Sequence, residues 1–105
     1  MIIFYNEDTN MNKLHIQHDV NQQHFFVKIN NDMCQLNYRK ISADTLEYYR
    51  TFIPEGLRGR GIAGDITKFA LQYALDNHYF VIASCTYVKV YIQKHPEFES
   101  LVRND

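Results

Sequence analysis

Between Leu14 and Phe52 apolar side chains tend to recur at every second residue, and beyond Ile62 at every third or fourth. A period of two places alternate side chains on opposite faces of a strand, whereas a period near 3.6 lines them along one side of a helix. The first region therefore reads as strands joined by polar turns. LHIQHD (Leu14 to Asp19) is a short strand and VNQQ a turn. HFFVKI (His24 to Ile29) sets Phe25, Val27 and Ile29 on one face, and NND (Asn30 to Asp32) is a tight turn. MCQLNYRKI is its hairpin partner, with Cys34, Leu36 and Tyr38 on a shared face. SAD turns the chain again, into a strand from Thr45 to Ile53 with β-branched and aromatic residues on both faces. Pro54 ends that strand, because proline cannot donate to a ladder.

The helical period is carried by Ile62, Ile66, Phe69, Ala70 and Tyr73, with Asp65, Lys68, Gln72 and Asp76 on the opposite side. DNHY closes this helix and YFVIAS (Tyr79 to Ser84) is a compact apolar strand. A second helix is expected from Thr86 to about Lys94, with Pro96 as its stop, and the tail EFESLVRND adds a turn of helix. The expected class is α+β, in about three layers. The whole chain, 1–105, reads as one domain, with the first ~12 residues loosely attached.

Composition narrows the function. Hydrophobic residues make up 46% of the 105, enough for a core, and eight Tyr and seven Phe with no Trp make aromatics its main currency. A net charge of −1 with scattered cations lacks the basic face of a general nucleic-acid binder. The N-terminal stretch turns polar too early for a signal peptide, and no apolar run nears the ~18 residues of a membrane span. A cytoplasmic protein, monomeric or weakly dimeric, is the expectation. Cys34 and Cys85 form no CxxC pair and read as free thiols. The five histidines form no HExxH or other compact ligand pattern, so no metal is expected.

The chemistry concentrates in FIPEGLRGRGIAG, Phe52 to Gly64, where three of the four glycines are interleaved with Arg58 and Arg60 just before the first helix. The first turn of a helix leaves backbone N–H groups unpaired, and the macrodipole adds partial positive charge there. Glycines permit positive φ and close approach, so the junction has the makings of a cradle for phosphate oxygens, with the arginines adding charge. The alternative is a tight strand-to-helix connection with two solvated arginines. GxxxxGK[ST] is absent. GRGIAG fits GxGxxG, but it follows an antiparallel meander with one βαβ-like unit remaining, the wrong context for a dinucleotide fold.

LRGRGIA also matches R/Q-x-x-G-x-G/A, through Arg58, Gly61 and Ala63. Together with the later FVIASCTYVKVYIQKHPEF, it resembles the small single-domain branch of the GNAT superfamily of acetyl-CoA-dependent N-acetyltransferases. The branch pattern is T-x-V-P-x-x-x-R-G-x-G-I-A followed by C-x-Y-V…Y-I…H-P-E-[YF], and the likeness covers roughly Phe25 to Phe98. The resemblance implies a mostly antiparallel sheet whose central strands splay apart, with packed helices. It implies acetyl-CoA as co-substrate, its pyrophosphate on the loop from Leu57 through Arg58, Gly59, Arg60, Gly61 and Ile62 to Ala63. It further implies that a backbone N–H near Phe52 or Ile53 bonds the thioester carbonyl, an oxyanion-type contact.

Amine acylation needs one proton removed from the nucleophile and one supplied to the departing thiolate. By the resemblance, a tyrosine on the last helix serves as acid: Tyr91 first, Tyr87 second. For the base, Glu47, Tyr49 and a chain of waters stay open. Cys85 has three readings, as a small residue of the pocket wall, a proton-handling thiol or a covalent acyl acceptor. Cys34 is assigned to the core, Tyr48, Tyr49 and Tyr73 to the sheet and core, and His95 to capping helix carbonyls. The chain departs from the branch where Arg50 stands in place of histidine, Phe52 in place of an acid and Ile53 in place of valine. The expected function is acetyl transfer to a primary amine: a protein lysine, a peptide or a small amine. An acyl-CoA-binding module without turnover and a plain interaction domain are the alternatives.

Overall fold

The computed structural model describes residues 14–104. The expectation for the first ~12 residues lies outside them. Five strands, β1 (Gln17–Asp19), β2 (His24–Ile29), β3 (Asp32–Ser42), β4 (Thr45–Phe52) and β5 (Phe80–Ala83), form one sheet in sequence order. Every pairing is antiparallel except β4 with β5, which is parallel and is reached through helix α1 (Ile62–Asp76). Helix α2 (Thr86–Lys94) and 3-10 turns at Glu55–Leu57 and Pro96–Leu101 complete the chain. The β2–β3 turn is Asn30–Asn31, both at positive φ (52° and 73°), the conformation that matches the strand twist in a two-residue hairpin.

The sheet's inner face carries Phe25, Val27, Cys34, Leu36, Tyr38, Leu46, Tyr48 and Val81, all buried. On the helix side the buried stripe is Ile62, Ile66, Thr67, Ala70, Leu71 and Ala74. This corrects the sequence expectation in part, because Phe69 is 40% exposed and Tyr73 half-buried. The small side chains of Ala70 and Ala74 let the helix lie close to the sheet, and the two rings flank that line. Both flanking rings meet Phe25 edge-on, at 6.0 and 5.5 Å between centroids. The Tyr48 hydroxyl, fully buried, donates to the carbonyl of Ala70 at 2.6 Å and pins strand to helix.

The opposite face of β2–β4 carries exposed or half-buried Phe26, Lys28, Gln35, Asn37, Arg39 and Glu47, so the described residues make two layers there, where about three were expected. At the far edge, Val102 bridges Val81 in parallel and the Arg103 N–H donates to the Val81 carbonyl at 2.8 Å. The Arg103 guanidinium lies 3.9 Å over the Phe80 ring and pairs with Asp44 at 3.2 Å.

His18 is stacked on Phe25 (4.3 Å), meets Tyr73 edge-on (4.5 Å) and shares a 2.6 Å hydrogen bond with the Tyr38 hydroxyl. Burial lowers its pKa from the ordinary 6.5, with Asp19 opposing in part, and burial pushes the Tyr38 phenol up to about 12. The unfolded chain therefore takes up this proton at a higher pH than the folded one. The associated stability is complete above about pH 6.5 and is lost progressively as pH falls below it. We expect the urea midpoint to drop between pH 7.5 and 5.5, and the drop to be smaller in His18→Gln. An unchanged pH slope in the variant would remove His18 from the account.

Candidate functional site

β4 and β5 pair only from Thr45↔Phe80 to Tyr48↔Ala83. There the ladder ends: the N–H groups of Ser84 (3.1 Å) and Cys85 (3.0 Å) both converge on the Tyr48 carbonyl. β5 gives way to α2, while β4 continues to Phe52, paired among the described residues with β3 alone. The divergence coincides with a bulge. Tyr38 pairs with Tyr48 but Asn37 pairs with Arg50, leaving Tyr49 as an extra residue in β4. The central strands thus splay as the resemblance implied, and a cleft of about 460 Å³ opens at their end.

Its walls are Thr51, Phe52 and Ile53 from β4 and the following residue, Leu57, Arg58, Gly59 and Gly61 from the loop, Ile62 and Ala63 from α1, and Tyr87 from α2. Gly59 and Gly61 have φ of +82° and +80°, the left-handed region that favours glycine. Gly61 is the N-cap of α1, and among the described residues no side chain caps the N–H groups that follow. A Cβ built on either glycine meets nothing within 4 Å, so the space beside them is open. An open, uncapped helix start directly after two such glycines suits phosphate oxygens.

Arg58 does more than carry charge. Its Nε donates to the Ile53 carbonyl at 2.8 Å, tying the loop back to the end of β4. Arg60 is exposed and lies outside the cleft wall. Of the nine residues assigned to the coenzyme, the other eight line the cleft together. Thr51 was missed, although it is the threonine of the T-x-V-P pattern; its Oγ1 is 3.4 Å from the Cys85 Sγ. Cys85 is half-buried at the N-cap of α2, and Cys34 is fully buried; both are free thiols.

The catalytic candidates divide. Tyr87 lines the cleft, and its hydroxyl would lie 3.4 Å from a Cβ placed on Gly64, so the glycine lets it sit over the first turn of α1. Tyr91, one helical turn on, also borders Gly64, its Cε2 3.9 Å from the same Cβ position, but it lies outside the cleft wall. It is stacked on His95 at 3.9 Å, and burial, helped by Glu97, raises its pKa. His95 caps α2 as expected, through Nδ1 and the Tyr91 carbonyl at 2.8 Å. Glu47 is on the other face of the sheet, outside the cleft wall. It accepts a hydrogen bond from the Ser84 hydroxyl and pairs with Arg39 at 3.2 Å. Those two partners, Ser84 foremost, lower its pKa, which makes it a poor base. Tyr49 lies under the Arg39 guanidinium at 4.0 Å.

Comparison with known proteins gives the same answer from a different direction. The family model described as GCN5-related N-acetyl-transferase matches residues 24–101. Protein NATD1 of Xenopus tropicalis is 27% identical over 85 residues, covering 79% of this chain and 78% of that protein. Protein NATD1 of Danio rerio is 26% identical over 93 residues, covering 87% and 84%. Among solved structures, the solution structure of a "GCN5-like putative N-acetyltransferase" from Staphylococcus aureus superposes with a TM-score of 0.68 at 22% identity, covering 90% of this chain and 93% of that one. At that identity the superposition speaks for the fold, while the family match spans both helices and the parting strands. The chain belongs to the GCN5-related N-acetyltransferase family.

Proposed function

We propose that the chain transfers an acetyl group from acetyl-CoA to a primary amine, by direct attack of the amine on the thioester. The observation that carries this reading is the uncapped start of α1 at Gly61, open to a cleft formed where β4 and β5 part. The N–H groups at the start of α1 hold the diphosphate, and the Arg58–Ile53 tie keeps the loop at the strand end. A main-chain N–H near Phe52 or Ile53 stabilises the charge that develops on the carbonyl oxygen. The new C–N bond replaces the C–S bond, and the amine proton and the thiol proton balance between solvent and a cleft side chain. Tyr87, the titratable group of the cleft wall with a transferable O–H, takes the acid role more naturally than Tyr91.

The cleft wall contains no Asp, Glu or His among the described residues. The acceptor must then arrive as free amine, having lost its proton to water. This feature also supports the second reading, an acyl-CoA-binding module with little or no turnover. Release of free coenzyme A thiol over a panel of amines separates the two. Saturable acetyl-CoA binding without thiol release favours the module, and absence of binding overturns both.

Four outcomes are expected. Amide resonances from Leu57 to Ala63 shift on titration with acetyl-CoA. Gly61→Ala, which forces a side chain into the left-handed region at a cost of roughly 1–2 kcal/mol, weakens acetyl-CoA binding about tenfold by calorimetry, equivalent to about 1.4 kcal/mol. Tyr87→Phe lowers kcat by about 100-fold whereas Tyr91→Phe leaves it nearly unchanged, and kcat/KM rises with pH toward the pKa of the amine without a plateau near neutrality. A plateau there would reveal a side-chain base and contradict the cleft chemistry described above.

A further inference from the structure

The open face of the sheet carries a chain of polar side chains that ends at Arg50. His24 Nδ1 and Gln35 Oε1 are 2.9 Å apart, and Asn37 Nδ2 donates to the same Gln35 oxygen at 3.2 Å. Arg50 Nη1 then donates to Asn37 Oδ1, also at 3.2 Å. Cross-strand register builds this chain: Asn37 stands opposite His24 on one side and Arg50 on the other, and Gln35 stands opposite Phe52. With its N–H₂ committed to Gln35, the Asn37 amide turns its oxygen toward Arg50.

The guanidinium has a second support, lying 5.2 Å from the centroid of the Phe52 ring. Phe52 and the intervening Thr51 both line the cleft. An exposed arginine ordinarily loses much rotamer freedom when it binds a ligand, and a side chain already held on two sides loses less. Among the described residues the ion pairs are Arg39 with Glu47 and Arg103 with Asp44, so Arg50 has no carboxylate partner of its own. Only one of its five N–H donors is engaged by Asn37. Lys28 is exposed on the same face, and Glu47, the carboxylate of β4, is taken by Arg39 and Ser84. Beside the cleft, Arg50 therefore presents a planar, oriented donor set of which one N–H is engaged.

We propose that Arg50 recognises a carboxylate on the acceptor, making the preferred substrate an amine that bears a carboxylate close by, as a free amino acid does. A guanidinium and a carboxylate match in a bidentate pair, which fixes the orientation of the bound molecule as well as its affinity. Asn37 is a positioning residue, acting through Arg50.

The inference rests on the acetyltransferase reading above, and the test separates the two. Thiol release from acetyl-CoA is measured with amino acids and with the corresponding amino acid amides, which differ in the carboxylate. The intact protein should favour the acids by tenfold or more in kcat/KM. Arg50→Gln should bring that ratio close to one by raising KM for the acids, with acetyl-CoA affinity unchanged. Asn37→Ala should raise the same KM to a smaller extent without altering kcat. Amides used as well as acids, or both losing equally in Arg50→Gln, would overturn the assignment. Binding is read independently from the Arg50 Nε–H resonance on adding glutamate with coenzyme A present. A resonance that stays in place rejects the Arg50 site even where thiol release has established the transferase. A resonance that moves without thiol release keeps the site and retires the transferase.

Discussion

The carbonyl oxygen of Tyr48 accepts two N–H groups, from Ser84 and Cys85, at the last position where β4 and β5 still touch. A parallel ladder would pass that oxygen one partner and go on to the next rung. Here the β5 segment turns into α2 instead, so among the described residues no strand pairs with this side of β4 beyond that point. The cost of leaving β4 unpaired on one side is limited because β3 holds its other side to Phe52. The same geometry brings α2 back over the start of α1, where Gly64 gives Tyr87 its room. The cleft, the loop that borders it and the tyrosine at its rim all follow from this one termination, and the buried Tyr48 side chain fixes the same residue to α1 from the inner face.

Much of this was legible in the chain. The period-two segments, the Asn–Asn turn, Pro54 as a strand stop and the glycine junction each carry a local signal that survives folding. The loop residues that line the cleft were identifiable because they are contiguous in sequence. What was less legible depends on relations between distant segments. The buried stripe of α1 was read through its largest apolar residues, yet close packing against a sheet selects Ala70 and Ala74, and Phe69 and Tyr73 lie along the margin. Choosing between Tyr87 and Tyr91 requires the phase of α2 against α1, which is set by tertiary contact. The Tyr49 bulge has no sequence signal, although it decides which side chains of β4 share a face with those of β3.

The polar chain on the open face could not be read from sequence for the same reason. His24, Gln35, Asn37 and Arg50 come from three strands, and only the register makes them neighbours. Glu47 shows the reverse case. As an acid on the central strand it looks chemically available, but Ser84 and Arg39 occupy its oxygens and hold it ionised. A carboxylate stabilised in that way keeps the sheet face in order and has little appetite for a proton.

The short segment at Val102 and Arg103 has a consequence for how another polypeptide meets this molecule. β5 is only four residues long, and its outer rung at Val81 is already filled from within the chain. Arg103 adds a cover over Phe80 and a clamp to Asp44. A visiting peptide therefore finds the rung at Val81 taken, and annealing as a sixth strand is obstructed there. Self-association through this margin is discouraged by the same means.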